Sequence, residues 1–219
     1  MKLAIVRTLL LLALPTSAVA QTRLDQDEPR ARQEASADVD APIPRIDYRL
    51  VMANPERYGP LEYTETIQSL WGRGDRLRAF FWYQVFATRL GVMLEIAAAQ
   101  PSEDRSEDGT RGELEMPLML RLAGARPMTW AYSDPEMANA VVMRAMAYES
   151  RLPPPPAFAA RGLWGSNVGE ARKRLSEMAV EQMRSGVLSP ETARMRFRAK
   201  GQYVGPWRDA GEPLQDDWR

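Results

Sequence analysis

One long apolar stretch, Asp75 to Gln100, constrains the fold more than any other part of the chain. Its apolar side chains point in every direction around a helix of 3.6 residues per turn. Four consecutive aromatic residues, Phe80 to Tyr83, cover most of one turn and need packing partners on several sides. A helix that is apolar all round is normally buried by its neighbours. The stretch therefore predicts a central buried helix that the rest of the chain covers.

A helical hairpin is predicted at the start of this stretch. Tyr63, Ile67 and Leu70 share one face of a preceding helix that begins near Pro60, where a first-turn proline is tolerated. That helix ends at Gly72 to Gly74, and Asp75 is a good N-cap for the next helix. Because the connection is so short, the two helices must lie antiparallel.

Four further helical patterns follow in the C-terminal part of the chain. The first is expected to end at Gly124, before an aromatic loop that carries Trp130 and Tyr132. A stiff polyproline segment at Pro153 to Pro156 bars any helix through it. The four helices are expected to start near Gly112, Asp134, Asn167 and Ser189.

Together these patterns predict an all-α fold. We expect a compact domain of about five to six helices, between residues 46 and 200, around the central helix at about 75–100. Residues 21–45 combine many charges with three prolines, which is typical of a disordered leader. Residues 201–219 contain Gly, Pro and Trp, and we expect them to form a loose tail.

Residues 1–20 have the pattern of a secretory signal peptide. Lys2 and Arg7 form a positive region, Thr8 to Leu14 is a short apolar core, and Ala18 to Ala20 is a small-residue cleavage pattern. The apolar run is shorter than the ~20 residues that cross a bilayer. We therefore expect cleavage before Gln21, a mature protein that is periplasmic or secreted by a bacterium, and no stable membrane span.

Composition excludes several classes of site. The chain has no His and no Cys, which removes the commonest general base, thiol catalysis and ordinary zinc or iron–sulfur sites. Glycine loops of the phosphate-binding types are absent. Basic and acidic residues balance at 29 each, so nothing attracts nucleic acid. We expect no cofactor, and catalysis would depend on carboxylates alone or on carboxylates that hold a hard metal.

One loop resembles an EF-hand calcium loop. Its residues match positions 1, 3, 5, 7 and 12 of that loop, and they are Asp104, Ser106, Asp108, Thr110 and Glu115. Gly109 falls at the turn position. Against this, Arg111 stands where the family has an apolar residue that pairs with a second hand, and no second hand exists. The preferred interpretation is a solvated acidic loop without metal.

A second carboxylate candidate is Glu149. The pair Glu149-Ser150, with Gly162-Leu163 after it, resembles soluble lytic transglycosylases. In that family the Glu supplies a general acid, and a Gly-Leu-Met-Gln stretch lines the cleft. Here Trp164-Gly165 stands in place of Met-Gln. The alternative is a solvated glutamate at the end of a helix.

The hairpin itself carries a further resemblance. Trp71, Gly74-Asp75, Ala79 and the run from Phe81 to Tyr83, within G-D-x-x-x-A-x-F-W-Y, are similar to one unit of tetratricopeptide or Sel1-like helical repeats. With Arg89 and the later W-A-Y-x-D-P at Trp130 to Pro135, the G-D-x-x-x-A-x-F-W-Y run resembles a group of uncharacterised secreted bacterial proteins. The resemblance covers roughly residues 55–150. It implies a helical fold and supplies no activity.

Arg89 is the polar residue that the pattern singles out. It lies two turns after Trp82 on the same face of a helix that is predicted to be buried. A buried guanidinium needs a carboxylate or an anion. Two alternatives are open. In the first, Arg89 pairs with Glu62, Glu65 or an acid of another helix. In the second, it faces a cleft with Trp82 and Gln84 and holds an anionic group of a ligand.

These observations leave three hypotheses for function. The first is a non-catalytic periplasmic or secreted binding protein, whose partner would be another envelope protein or a ligand. The second is a carboxylate-dependent hydrolase or lyase of cell-wall glycan that uses Glu149. The third is an inhibitor or immunity-type partner of a secreted enzyme.

Overall fold

The structure is a computed structural model that describes residues 46–99 and 120–218. The predicted signal peptide, the leader and the EF-hand-like loop therefore lie outside the described residues. Within the described ranges the chain forms eight α-helices and two short 3₁₀ turns, and it contains no β-strand. This confirms the predicted all-α fold. The helices are α1 (Tyr48–Ala53), α2 (Pro60–Gly72), α3 (Arg76–Ala98), α4 (120–131), α5 (Pro135–Glu149), α6 (Pro156–Ala160), α7 (Gly165–Arg184) and α8 (Pro190–Ala199).

Helix α3 is the centre of the fold, as its sequence predicts. It packs against α2, α5 and α7, which lie on different sides of it. Because no face of α3 is left to water, apolar side chains all round the helix are buried: Phe80, Phe81, Trp82, Val85, Phe86, Leu90, Val92 and Ile96. None of the described helices is both long and apolar enough to cross a bilayer.

The predicted hairpin joins α2 to α3 through a tight turn. Gly74 adopts a positive φ of 82°, and its amide donates to the Trp71 carbonyl at 3.0 Å. The pairing of the two helices is tight, because the rings of Tyr63 and Phe86 stack with their centroids 3.8 Å apart. The Tyr63 hydroxyl donates to the Pro55 carbonyl at 2.6 Å, which ties the segment before α2 to the same core.

Helix α4 differs from its prediction at Gly124. The glycine does not end the helix, which continues through the expected aromatic loop to residue 131. Packing accounts for the glycine at this position, since a Cβ at residue 124 would lie 2.0 Å from Cε2 of Tyr83 on α3. Gly124 therefore lets the two helices approach closely, and it is a packing residue in mid-helix.

Helix α7 packs on the C-terminal half of α3, and Phe158 of α6 packs against the small core between them. That small core consists of Val92, Ile96, Trp164, Ala171 and Leu175. No helix runs through the proline segment, because α5 ends at Glu149 and α6 begins only at Pro156, which occupies the first turn, where its missing N–H costs nothing. Ser189 caps α8 as expected, and its hydroxyl accepts from the amide of Thr192 at 3.3 Å.

Residues 201–218 differ from the loose tail that their composition led us to expect. The Trp207 indole donates to the Ala131 carbonyl at 2.8 Å, and the Trp130 indole donates to the Arg208 carbonyl at 2.9 Å. The Trp218 ring stacks on Phe81 with centroids 4.9 Å apart and is 6% exposed. The C-terminal segment is therefore part of the packed domain, and its tryptophans attach it there.

Candidate functional site

Arg89 and Glu149, which the sequence singles out separately, are partners in the structure. Both side chains are completely buried, and Nη1 of Arg89 lies 3.5 Å from Oε1 of Glu149. Arg89 also donates from Nη2 to the Pro153 carbonyl at 2.6 Å, while its Nε has no acceptor among the described residues. Of the alternatives for Arg89, this arrangement matches an ion pair with an acid of another helix. Glu62, another candidate partner, accepts from the amide of Gly59 at 2.9 Å.

A second arginine completes this group. Arg172 of α7 donates from Nε to Oε2 of Glu149 at 3.1 Å and from Nη2 to Oε1 at 3.2 Å. The guanidinium carbons of Arg89 and Arg172 each lie 5.5 Å from the centroid of the Trp164 ring. We call Arg89, Glu149, Trp164 and Arg172 the Glu149 cluster. It joins α3, the end of α5 and α7, and it holds two positive charges against one negative charge.

The Glu149 cluster is not arranged for acid catalysis. A general acid must reach the substrate within hydrogen-bond distance. Glu149 has no exposed surface, and both of its carboxylate oxygens already accept hydrogen bonds from guanidinium groups. Ser150, the other half of the Glu-Ser pair, donates its hydroxyl to the Ala147 carbonyl at 2.8 Å. In this conformation the cluster connects three helices and offers no reactive group to solvent.

Trp82 and Gln84 lie on opposite sides of α3. Trp82 is completely buried among the aromatic rings of Phe86, Tyr148 and Trp218. Gln84 donates to Sδ of Met128 at 2.9 Å, beside a cavity of about 40 Å³ that has neither Trp82 nor Arg89 in its lining. The structure therefore does not bring Gln84 together with the other two candidate binding residues, and ligand binding at Arg89 stays a prediction.

A metal centre has no support in the described ranges. No group of three or more acidic side chains there is placed to hold a metal ion. The calcium-type candidates Asp104, Ser106, Asp108, Thr110 and Glu115 lie outside the described residues.

A charged pocket at the start of α3 is a site that sequence reasoning missed. It has a volume of about 440 Å³ and is open to solvent. Three separate segments line it: α1, the α2–α3 turn and the C-terminal segment. We call it the arginine pocket, and its lining residues are Tyr48, Arg49, Met52, Arg73, Gly74, Asp75, Arg78, Gly211 and Glu212.

Arg78 binds both carboxylates of the arginine pocket. Its Nη1 lies 3.4 Å from Oδ2 of Asp75, and its Nη2 contacts the carboxylate of Glu212. Asp75 occupies the N-cap position of α3 but makes no side-chain capping bond; the Leu77 amide instead donates to the Ala210 carbonyl at 2.8 Å. Burial raises the pKa of the Asp75 carboxyl, and the Arg78 guanidinium opposes that effect.

Two other arginines approach a single aromatic ring of the pocket. The guanidinium carbons of Arg49 and Arg73 lie 5.7 Å and 5.5 Å from the centroid of the Tyr48 ring. Such cation–π contacts hold a guanidinium near a ring face without using its N–H donors. Both side chains are exposed, so a ligand in the pocket can reach them.

The sequence gives little signal for this pocket. Its arginines come from positions 49, 73 and 78, and its acid Glu212 comes from the segment that we expected to be loose. The nearest clue is Asp75, which the sequence marks only as a helix cap. Contacts between residues more than 130 positions apart have no local pattern that would reveal them.

Comparison with known proteins supplies no family for this arrangement, because no family model, no curated protein and no solved structure matches the chain.

Proposed function

We propose that this chain is a non-catalytic binding protein of an exported compartment and that the arginine pocket is its ligand site. The observation that carries the proposal is the pocket itself. Its volume of about 440 Å³ lies within the ~300–1,000 Å³ that is usual for small-molecule sites. It also presents two arginine side chains, Arg49 and Arg73, that form no ion pair with a described carboxylate.

The contrast between the two charged sites favours binding over catalysis. The Glu149 cluster has the buried acid that glycan cleavage would need, but that acid is sealed and fully hydrogen-bonded. The arginine pocket is open, but its two acids, Asp75 and Glu212, both contact Arg78. Neither site combines a free acid with an accessible surface, whereas the open pocket is equipped to hold a ligand.

Export is the part of the proposal that rests on residues 1–20, whose pattern is that of a secretory signal peptide. We expect the exported protein to begin at Gln21. Measurement of its intact mass tests this, and a mass that still includes residues 1–20 would remove the basis for the compartment.

Affinity capture tests the binding role. Immobilised mature protein should retain a stoichiometric component of an envelope extract. Met52→Trp places a larger side chain in the lining of the pocket, so this variant should lose the capture, and a cooperative melting curve shows that it is still folded although Met52 also packs on the core. Equal capture by both proteins would show that the pocket is not the site.

A catalytic assay tests the rival hypothesis directly. Purified peptidoglycan incubated with the wild type should show no turnover. Any turnover by the wild type would overturn the proposal, and its loss in a Glu149→Gln variant whose melting curve shows that it is still folded would assign the activity to Glu149.

A further inference from the structure

We propose that the arginine pocket recognises a carboxylate or phosphate group of a small solute through Arg49 and Arg73. This inference rests on the proposed function, because it names the chemical class of ligand for the same pocket.

The three arginines of the pocket differ in whether a carboxylate pairs with them. Arg78 is occupied, because it contacts both Asp75 and Glu212. Within the described part of the chain, Arg49 and Arg73 form no ion pair with a carboxylate. Asp47 lies beside Arg49, but its Oδ1 accepts from the backbone amide of Arg49 at 2.9 Å and caps α1. Neither guanidinium group is therefore in ion-pair contact with a described carboxylate, although the charge of Asp47 still acts on Arg49 and that of Asp75 on Arg73.

Both guanidinium groups lie beside the Tyr48 ring. Both groups lie within 6 Å of its centroid, although they come from α1 and from the turn after α2. Both side chains also line the arginine pocket, so an anion bound there lies near both positive charges. A guanidinium is planar and presents paired N–H donors whose spacing matches the two oxygens of a carboxylate or phosphate. The paired donors therefore favour an oxyanion over a halide.

The acids of the pocket limit what else the ligand can carry. Asp75 and Glu212 line the same space as Arg49 and Arg73. A ligand with several anionic groups would place some of them near these carboxylates. A small solute with a single oxyanion group avoids that repulsion, and it also fits a pocket of about 440 Å³.

The test uses acetate and inorganic phosphate as probes on the mature protein. Calorimetric titrations at constant ionic strength, balanced with chloride, separate specific binding from general screening. We expect at least one probe to bind the wild type and the double variant Arg49→Met/Arg73→Met to bind it at least ten-fold more weakly. Binding of acetate alone would identify a carboxylate site, and binding of phosphate alone would identify a phosphate site.

A matched control removes a positive charge elsewhere. Arg184 is 75% exposed on α7 and is not part of the pocket lining, so Arg184→Met should bind the probe like the wild type. Melting curves of all variants should agree, because the substituted side chains are exposed. An equal loss of binding in Arg184→Met, or no binding of either probe to the wild type, would overturn the inference.

The two proposals fail in different ways. If Met52→Trp abolishes capture from the extract but neither probe binds, the pocket is a ligand site and the oxyanion assignment is wrong. If a probe binds and depends on Arg49 and Arg73 but the extract yields no component, the oxyanion site stands and the broader binding role does not.

Discussion

Glu149 shows at the scale of one residue why a buried carboxylate has to be judged by its partners. It lies at the end of α5 with no exposed surface, where an unpaired charge would cost several kcal/mol. Arg172 meets it with two donors, and Arg89 meets it with one donor at 3.5 Å. Arg172 therefore makes more hydrogen bonds to the Glu149 carboxylate than Arg89 does.

The difference predicts an asymmetric result for two substitutions. In Arg89→Met, Glu149 keeps both contacts from Arg172, and we expect a loss of about 1–3 kcal/mol from the lost hydrogen bonds. In Glu149→Gln, the buried Arg89 loses its only carboxylate partner among the described residues. We expect this variant to lose about 3–5 kcal/mol of unfolding free energy. Urea unfolding of the two variants measures both values. A larger loss in Arg89→Met would mean that Arg89 is held by contacts other than the Glu149 cluster.

The sequence predicted these two residues but not their contact. Arg89 is conspicuous because it interrupts an apolar helix, and such an interruption requires a partner. The partner is 60 positions away, at the end of another helix. Nothing local distinguishes Glu149 from Glu62 or Glu65, so only the crossing of α3, α5 and α7 selects it.

At the scale of helices and segments, two glycines explain where the sequence-based bounds fail. Gly124 resembles a helix stop, but it lies in mid-helix against Tyr83. Gly211 lies in the segment expected to be loose, with a φ of +81°, and a Cβ there would be 2.7 Å from Cα of Asp75. Both glycines serve a close approach between distant segments, whereas sequence patterns report only the local role of glycine as a breaker.

Gly211→Ala should therefore detach the C-terminal segment from the start of α3. Gly201→Ala is a matched control, because Gly201 also has a positive φ of 64° but has no neighbour within 4 Å of its Cβ position. We expect the control to lose about 1–2 kcal/mol of unfolding free energy from backbone strain. Gly211→Ala should lose about 1–3 kcal/mol more than the control, because of the steric clash.

Urea unfolding measures both losses, and limited proteolysis after residue 201 reports whether the segment has detached. Equal stability of the two variants, with equal protection from protease, would mean that the contact between Gly211 and Asp75 contributes nothing to the fold.

At the scale of the whole molecule, the absence of His and Cys shapes the response to pH. No side chain of the chain has an ordinary pKa between about 5 and 8. On the acid side, burial raises the pKa of Asp75 in the folded state. This group therefore adds stability as pH falls from its folded pKa toward its pKa in the unfolded chain. Glu170 and Glu181 have lowered pKa values, so their contributions to stability are lost as pH falls. On the alkaline side, three buried tyrosines act together.

These three tyrosines predict unfolding in alkali. Burial raises the pKa of Tyr63 and of Tyr83 from 10.0 to about 12, and burial raises the pKa of Tyr132 further. A group whose pKa is higher in the folded state contributes stability that is fully present below the unfolded pKa. That contribution disappears as pH rises through the folded pKa. Three such groups lower stability by up to ~4 kcal/mol per pH unit above pH 10, against a total of ~5–15 kcal/mol for a typical domain.

We therefore expect cooperative unfolding between about pH 10 and 12, and urea unfolding at successive pH values measures the slope. Tyr132→Phe removes one ionising group, so the slope should fall by about one third, although the variant also loses the hydrogen bond to Asn139. Phe80→Leu is the matched control, since Phe80 packs edge-on against Tyr132 at 6.4 Å and does not ionise. It should lower stability equally at every pH. An unchanged slope in Tyr132→Phe would show that ionisation of Tyr132 does not drive alkaline unfolding.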